Sequence, residues 1–200
     1  MTAYPPAPWL MHGSMWLSVF RLPVAADERH PAGIYGAALV DYVSPSPLEY
    51  GELLVARAGR RGRKRVVTIT DIWVDSPASL AGGRELWAIP KELCDFEQER
   101  RSRGPLTQAS WSAVAHGEPI VTAEFSDVSK LALRTPFKGY VEQPGIPEHP
   151  ELAHVVMGGS AKALPCRAQW TFTPDGPLGF LGSARQLGSF RMTNFRLRFE

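Results

Sequence analysis

Lys91 stands directly after a proline in Gly82-Gly83-Arg84-Glu85-Leu86-Trp87-Ala88-Ile89-Pro90-Lys91-Glu92-Leu93, a segment with few other polar residues. A lysine held away from water favours its neutral amine, and a neutral amine attacks a ketone to form a Schiff base. The cationic nitrogen of that imine is an electron sink. It stabilises carbanion character at the neighbouring carbon when CO2 or a proton leaves or a C–C bond forms.

Other chemistries find less support. The five histidines (His12, His30, His116, His149, His154) show no paired ligand spacing and neither Cys94 nor Cys166 has a partner at C-x-x-C distance, so no metal is expected. Gly158-Gly159-Ser160 and Gly179-Phe180-Leu181-Gly182-Ser183 lack both the lysine of a phosphate loop and a G-x-G-x-x-G opening a long helix. No G-x-S-x-G elbow is present. Two cysteines do not make a disulfide framework, and both read as buried thiols. Elimination leaves lysine and carboxylate chemistry.

The elements that must position Lys91 read mostly as strands. With 200 residues, 44% of them hydrophobic and 21% charged, the chain has the composition of one soluble domain, 1–200, after an irregular lead-in over 1–10. Its 18 Gly and 18 Pro punctuate short apolar runs rich in Val, Ile, Phe and Trp, so turns and strands are expected and few long helices. Strands are predicted over 15–22 and 34–43, then an antiparallel hairpin from 50–57 and 65–74. Further strands follow over 96–101, 108–114, 120–125, 162–172 and 189–199, with breaks over 139–150 and 174–182. In the last strand the alternation slips at Thr193-Asn194, which marks a bulge. Ser76 as N-cap, Pro77 at the first helical position and Gly82 or Gly83 as C-terminal cap predict a helix of barely two turns. It delivers the chain to Pro90, which fixes the approach to Lys91.

A net charge of +2 is too small for an extended nucleic-acid or membrane partner. The charge is uneven, with Arg57, Arg60, Arg61, Arg63, Lys64 and Arg65 falling close together. That run reads either as a phosphate site or as a solvated hairpin loop. Gly59 and Gly62 and the absence of interleaved aromatics favour the loop. The N-terminus lacks the basic and apolar regions of a secretory signal and no segment approaches ~20 apolar residues, so a cytoplasmic location is expected.

The segment from Gly83 to Leu93 resembles the signature of the acetoacetate decarboxylase family, whose Schiff-base lysine follows the proline. Tyr50-Gly51-Glu52 lies at the distance from Lys91 at which that family carries a carboxylate facing the lysine. The resemblance implies a mainly β fold, an antiparallel cone-like or closed barrel with a few short helices. It implies Lys91 as Schiff-base nucleophile, Glu52 as general acid/base, and no cofactor. Met15, Trp73, Trp87 and Ile89 are expected to line the substrate pocket. Arg84 and Glu85 are expected to be structural, an ion pair bracing the loop.

The chain also departs from the family pattern. The family's second lysine is replaced by Glu92, expected to point outward because neighbouring extended residues face opposite sides. The early arginine that receives a substrate carboxylate is absent near Gly13, Ser14 and Met15, and a second carboxylate is absent near Gly36, Ala37 and Ala38. An apolar, altered substrate follows, a β-keto acid or related ketone processed by decarboxylation or by aldol or dehydration steps. The alternative is a barrel pocket that binds or cyclises a hydrophobic metabolite without an imine. A weaker one docks a phosphate-bearing carrier such as coenzyme A on the basic loop. Sheet edges lead us to expect a homo-oligomer.

Overall fold

Alternation along the strand that carries Glu52 decides the architecture. Tyr50, Glu52, Leu54 and Ala56 face one side and Leu53 and Val55 the other, and both rows are buried or half-buried. A strand covered on both faces must lie between two layers.

The computed structural model describes residues 3–128 and 132–200, and both layers are present. In chain order its elements are β1 (Trp9–Leu22), β2 (Gly33–Tyr42), β3 (Tyr50–Arg61), β4 (Lys64–Val74), α1 (Pro77–Trp87), β5 (Lys91–Leu93), β6 (Asp95–Arg103), β7 (Leu106–Ala115), β8 (Glu118–Asp127), β9 (Arg134–Gln143), β10 (Ala153–Pro165), β11 (Arg167–Phe172) and β12 (Arg185–Phe199), with a 3-10 turn over Gly179–Ser183. Seven strands close into a barrel in the order β3-β2-β1-β12-β10-β9-β4, with β4 pairing back onto β3. β5 extends it alongside β4 in parallel register, Ile72 opposite Lys91. A four-stranded sheet, β11-β8-β7-β6, covers the outside of the β1 to β4 wall.

Two apolar clusters result, one on each side of that wall. The outer one joins Trp16, Leu39, Leu53 and Trp73 to Trp111 and Phe125 of the covering sheet. The inner one gathers Trp9, Val40, Ile72, Trp87, Val141 and Leu197 inside the barrel.

The barrel is stitched at its weakest seam by a side chain. β4 and β9 share a single bridge, Val67 to Val141. Beyond it the Ile69 N–H donates to Gln143 Oε1 at 2.7 Å and Gln143 Nε2 donates to the Ile69 carbonyl at 3.1 Å. The carboxamide thus replaces the missing backbone partner, and it is 1% exposed. Gln143→Leu leaves two buried backbone groups unpaired at about 1–3 kcal/mol each. The melting temperature is expected to fall by roughly 5–20 °C, read by circular dichroism; an unchanged melt would show that the seam holds without the amide.

Several expectations need correction. The lead-in gives way to strand already at Trp9, whose indole donates to the Pro5 carbonyl at 2.8 Å, and Met1 and Thr2 lie outside the described residues. The 162–172 run is two strands in different sheets, parted at Cys166. β9 occupies part of the expected break over 139–150, because its Pro136 and Gly139 and its exposed residues hide the strand signal. The hairpin from β3 to β4 forms as expected, with the basic residues at its exposed tip. The bulge is also present. Asn194 has φ of 48° and the pairing of β12 slips there against both neighbours.

Candidate active site

The helix before Lys91 is built to let two side chains approach it closely. Ser76 caps α1, its Oγ accepting from the Ser79 N–H at 3.2 Å, and Pro77 opens it as expected. The glycines are not its cap, however: α1 runs on to Trp87 and is closed by Ala88 at φ 53°, with Ala88 N–H on the Arg84 carbonyl and Ile89 N–H on the Gly83 carbonyl. Gly82 and Gly83 serve contact instead. A Cβ on Gly82 would lie 2.6 Å from the Trp9 ring, and one on Gly83 would lie 2.7 Å from both Cδ and Cε of Lys91.

After Pro90, β5 sets Lys91 against Ile72 and turns its side chain inward. Arg84 braces this step by donating to the Lys91 carbonyl at 3.0 Å. Its carboxylate partner is Glu148 at 2.8 Å rather than the expected Glu85, which instead hydrogen-bonds Tyr4. Glu92 is exposed, as the alternation predicts.

Lys91 is 4% exposed, and its Nζ donates to Ser79 Oγ at 2.8 Å, Glu52 Oε2 at 3.0 Å and Tyr50 Oη at 3.4 Å. Glu52, 3% exposed, uses its other oxygen to accept from Tyr42 Oη at 3.1 Å. Both buried groups are therefore paired and hydrogen-bonded, as buried polar groups must be. Burial holds the Tyr42 and Tyr50 phenols well above the usual tyrosine range, reinforced by the Glu52 charge. Both remain neutral at any ordinary pH. The thiols lie elsewhere, and burial pushes Cys94 up to about 12 and Cys166 up to about 11, so neither offers a thiolate at neutral pH.

This cluster lies at one end of a cavity of about 320 Å³ inside the barrel. Lys91 and Glu52 are the charged residues of its described lining, and the remainder is apolar apart from three tyrosines. Met15, Trp87 and Ile89 line it as expected. Trp73 does not. It pairs with Leu53 and faces the covering sheet, because Glu52 and Leu53 point to opposite sides of β3. Gly36 and Ala38, near the place of the family's second carboxylate, also line the cavity and add no charge to it.

Sequence reasoning missed Ser79, Tyr42 and Tyr50. Tyr50 was readable, since it shares the face of Glu52 two residues on. Tyr42 required the register that sets it opposite Tyr50. Ser79 required the helix to continue past Gly83, where Ser79 and Gly83 stand on one face four residues apart.

The contact between Gly83 and the lysine stem can be tested directly. Alanine at Gly83 gains about 1 kcal/mol of helix propensity but displaces the Lys91 side chain, and a misplacement of about 1 Å costs on the order of 10²-fold in rate. Gly83→Ala is therefore expected to keep its melting temperature and lose turnover. Equal turnover in parallel rate and melting measurements would refute the contact.

Among the described residues no group of three or more His, Cys, Asp or Glu is placed to hold a metal, and no helix is long and apolar enough to cross a membrane. The sequence model of the acetoacetate decarboxylase family matches residues 24–161. No curated protein sequence matches the chain. Among solved structures, an acetoacetate decarboxylase from Legionella pneumophila is similar at TM-score 0.65 and 12% identity, covering 100% of this chain and 86% of that one. The enduracididine biosynthesis enzyme MppR, complexed with pyruvate, is similar at 0.64 and 15%, covering 100% and 90%. An acetoacetate decarboxylase-like enzyme from Sphingomonas wittichii is similar at 0.62 and 15%, covering 98% and 91%.

Proposed function

Given that the chain belongs to the acetoacetate decarboxylase family, we propose that it is a Schiff-base enzyme acting on a ketone, with Lys91 as nucleophile and Glu52 as general acid/base. The observation that carries this reading is the buried 3.0 Å contact between Lys91 Nζ and Glu52 Oε2 at the end of an apolar cavity. A proton passes across that contact to Glu52 and leaves a neutral amine. The amine adds to the substrate carbonyl, Glu52 protonates the carbinolamine oxygen, and water departs to give the iminium. The iminium accepts the electron pair released when CO2 or an α-proton leaves the neighbouring carbon. Protonation of the enamine and addition of water then return product and free lysine. Tyr42 holds Glu52 in place through its second oxygen, and Ser79 and Tyr50 fix the direction of Nζ.

The substrate is a β-keto acid or related ketone with an apolar body, and the reaction is a decarboxylation or an aldol or dehydration step. Support comes from the apolar lining, which offers no arginine to a carboxylate beside Lys91. No metal or organic cofactor is required, since the imine itself is the electron sink. Borohydride added with a panel of keto acids is expected to leave a substrate-sized mass on the Lys91 peptide. An unmodified peptide across the whole panel would refute the imine.

A further inference from the structure

The apolar cavity continues beyond the ketone-binding end. It shares Ile34, Ala58, Val67 and Met157 with an open surface pocket of about 590 Å³ at the β3 to β4 hairpin, which is lined by Lys138 and by the exposed Arg60 and Arg65. The inner row of β3, from Glu52 through Leu54, Ala56 and Ala58, leads by the same alternation to Arg60. On β4 the row leads from Val67 back to Arg65. Arg60 and Arg65 stand directly opposite one another in the hairpin register, so they share that face.

Like charges opposite one another on a sheet face destabilise it. Among the described residues neither arginine has an ion pair, nor does Lys138, whereas Arg61 on the opposite face reaches Glu142 at 3.4 Å and His154 at 2.7 Å. A mutually repelling pair is thus left at the end of an apolar passage with no carboxylate to neutralise it. From Glu52 to Arg60 is eight residues along β3, roughly 26 Å of strand. The passage is therefore far longer than a small keto acid needs.

Resting on the proposed imine chemistry for where the ketone sits, we infer that the substrate is an extended ketone whose apolar body fills the barrel and whose far end carries an anionic group, a carboxylate or a phosphate, held between Arg60 and Arg65. The guanidinium pair supplies charge-assisted hydrogen bonds to that group and loses its own repulsion on binding. Selection then acts at both ends of the ligand, with the barrel measuring the distance between them.

The test compares three unbranched methyl ketones of equal length, one ending in a carboxylate, one in a phosphate and one in a methyl group. Calorimetry with the full chain is expected to show both anionic probes binding about 10- to 100-fold more tightly than the neutral one, with the advantage shrinking at high salt. Arg60→Gln with Arg65→Gln should remove the advantage, while Arg61→Gln with Arg63→Gln, an equal loss of charge, should preserve it. Either anion being preferred supports the anionic terminus and names it. Equal binding of neutral and anionic probes, or a preference that survives in the Arg60/Arg65 variant, overturns the inference. Borohydride labelling of Lys91 is read in the same samples. A charge preference without labelling supports the anionic terminus while refuting the imine, and labelling without a charge preference does the reverse.

Discussion

Lys91→Met is expected to abolish turnover, lowering kcat on the order of 10⁴-fold or more, because the proposed imine has no other amine to form on. Methionine is the informative replacement, since it fills the volume of the stem and removes only the reacting group. Its stability consequence is separate. With the ammonium gone, the Glu52 carboxylate is buried beside Tyr42 without its counter-ion, at a cost of about 3–5 kcal/mol for a broken buried pair. Adding Glu52→Gln should recover most of that loss, as neutral replacements of buried pairs usually do, while activity stays absent. Measured kcat in Lys91→Met within tenfold of the parent would refute the lysine as nucleophile. A double variant no more stable than the single would refute the reading of the pair as a mutually dependent buried charge couple.

Glu52→Gln alone should reduce kcat by about 10² to 10⁴-fold, the usual contribution of a positioned acid/base. The amide keeps the acceptor for Tyr42 but cannot relay a proton to or from Lys91. The lysine remains, so borohydride should still trap the imine, only more slowly. This separates a proton-transfer role from a purely structural one. If Glu52 served only to neutralise Lys91, its amide variant would trap the imine at the parent rate. The expected outcome is a slowed rate of trapping.

How far this site was legible depended on whether its geometry was local. Lys91 was singled out by its proline and its segment, Glu52 only by the resemblance to the family, and the structure brings them to 3.0 Å. The β3 to β4 hairpin and the Thr193-Asn194 bulge followed from alternation alone. Trp73 was misplaced because its face is set by pairing with Leu53 across a ladder that slips at Val55 and Ala56, and a slip reverses which parity points inward. The Gly82-Gly83 pair was misread because a glycine that ends a helix and a glycine that admits a neighbour look identical in sequence. The neighbours here, Trp9 and Lys91, come from a different strand and from beyond the helix. The Arg84 partner was likewise invisible, since Glu148 lies 64 positions along the chain.

The two-sided wall formed by β1 to β4 gives the molecule a division of labour that bears on how it changes over generations. Leu39, Leu53 and Trp73 hold the covering sheet, and alternate positions on the same strands, such as Gly36, Ala38, Ala56 and Ala58, shape the cavity. Substitutions in the second set redraw the space offered to a ligand while the outer core keeps its packing. A lineage carrying this barrel is free to explore new substrates by altering every other residue of a few strands, with the lysine, its carboxylate and the folded scaffold left in place.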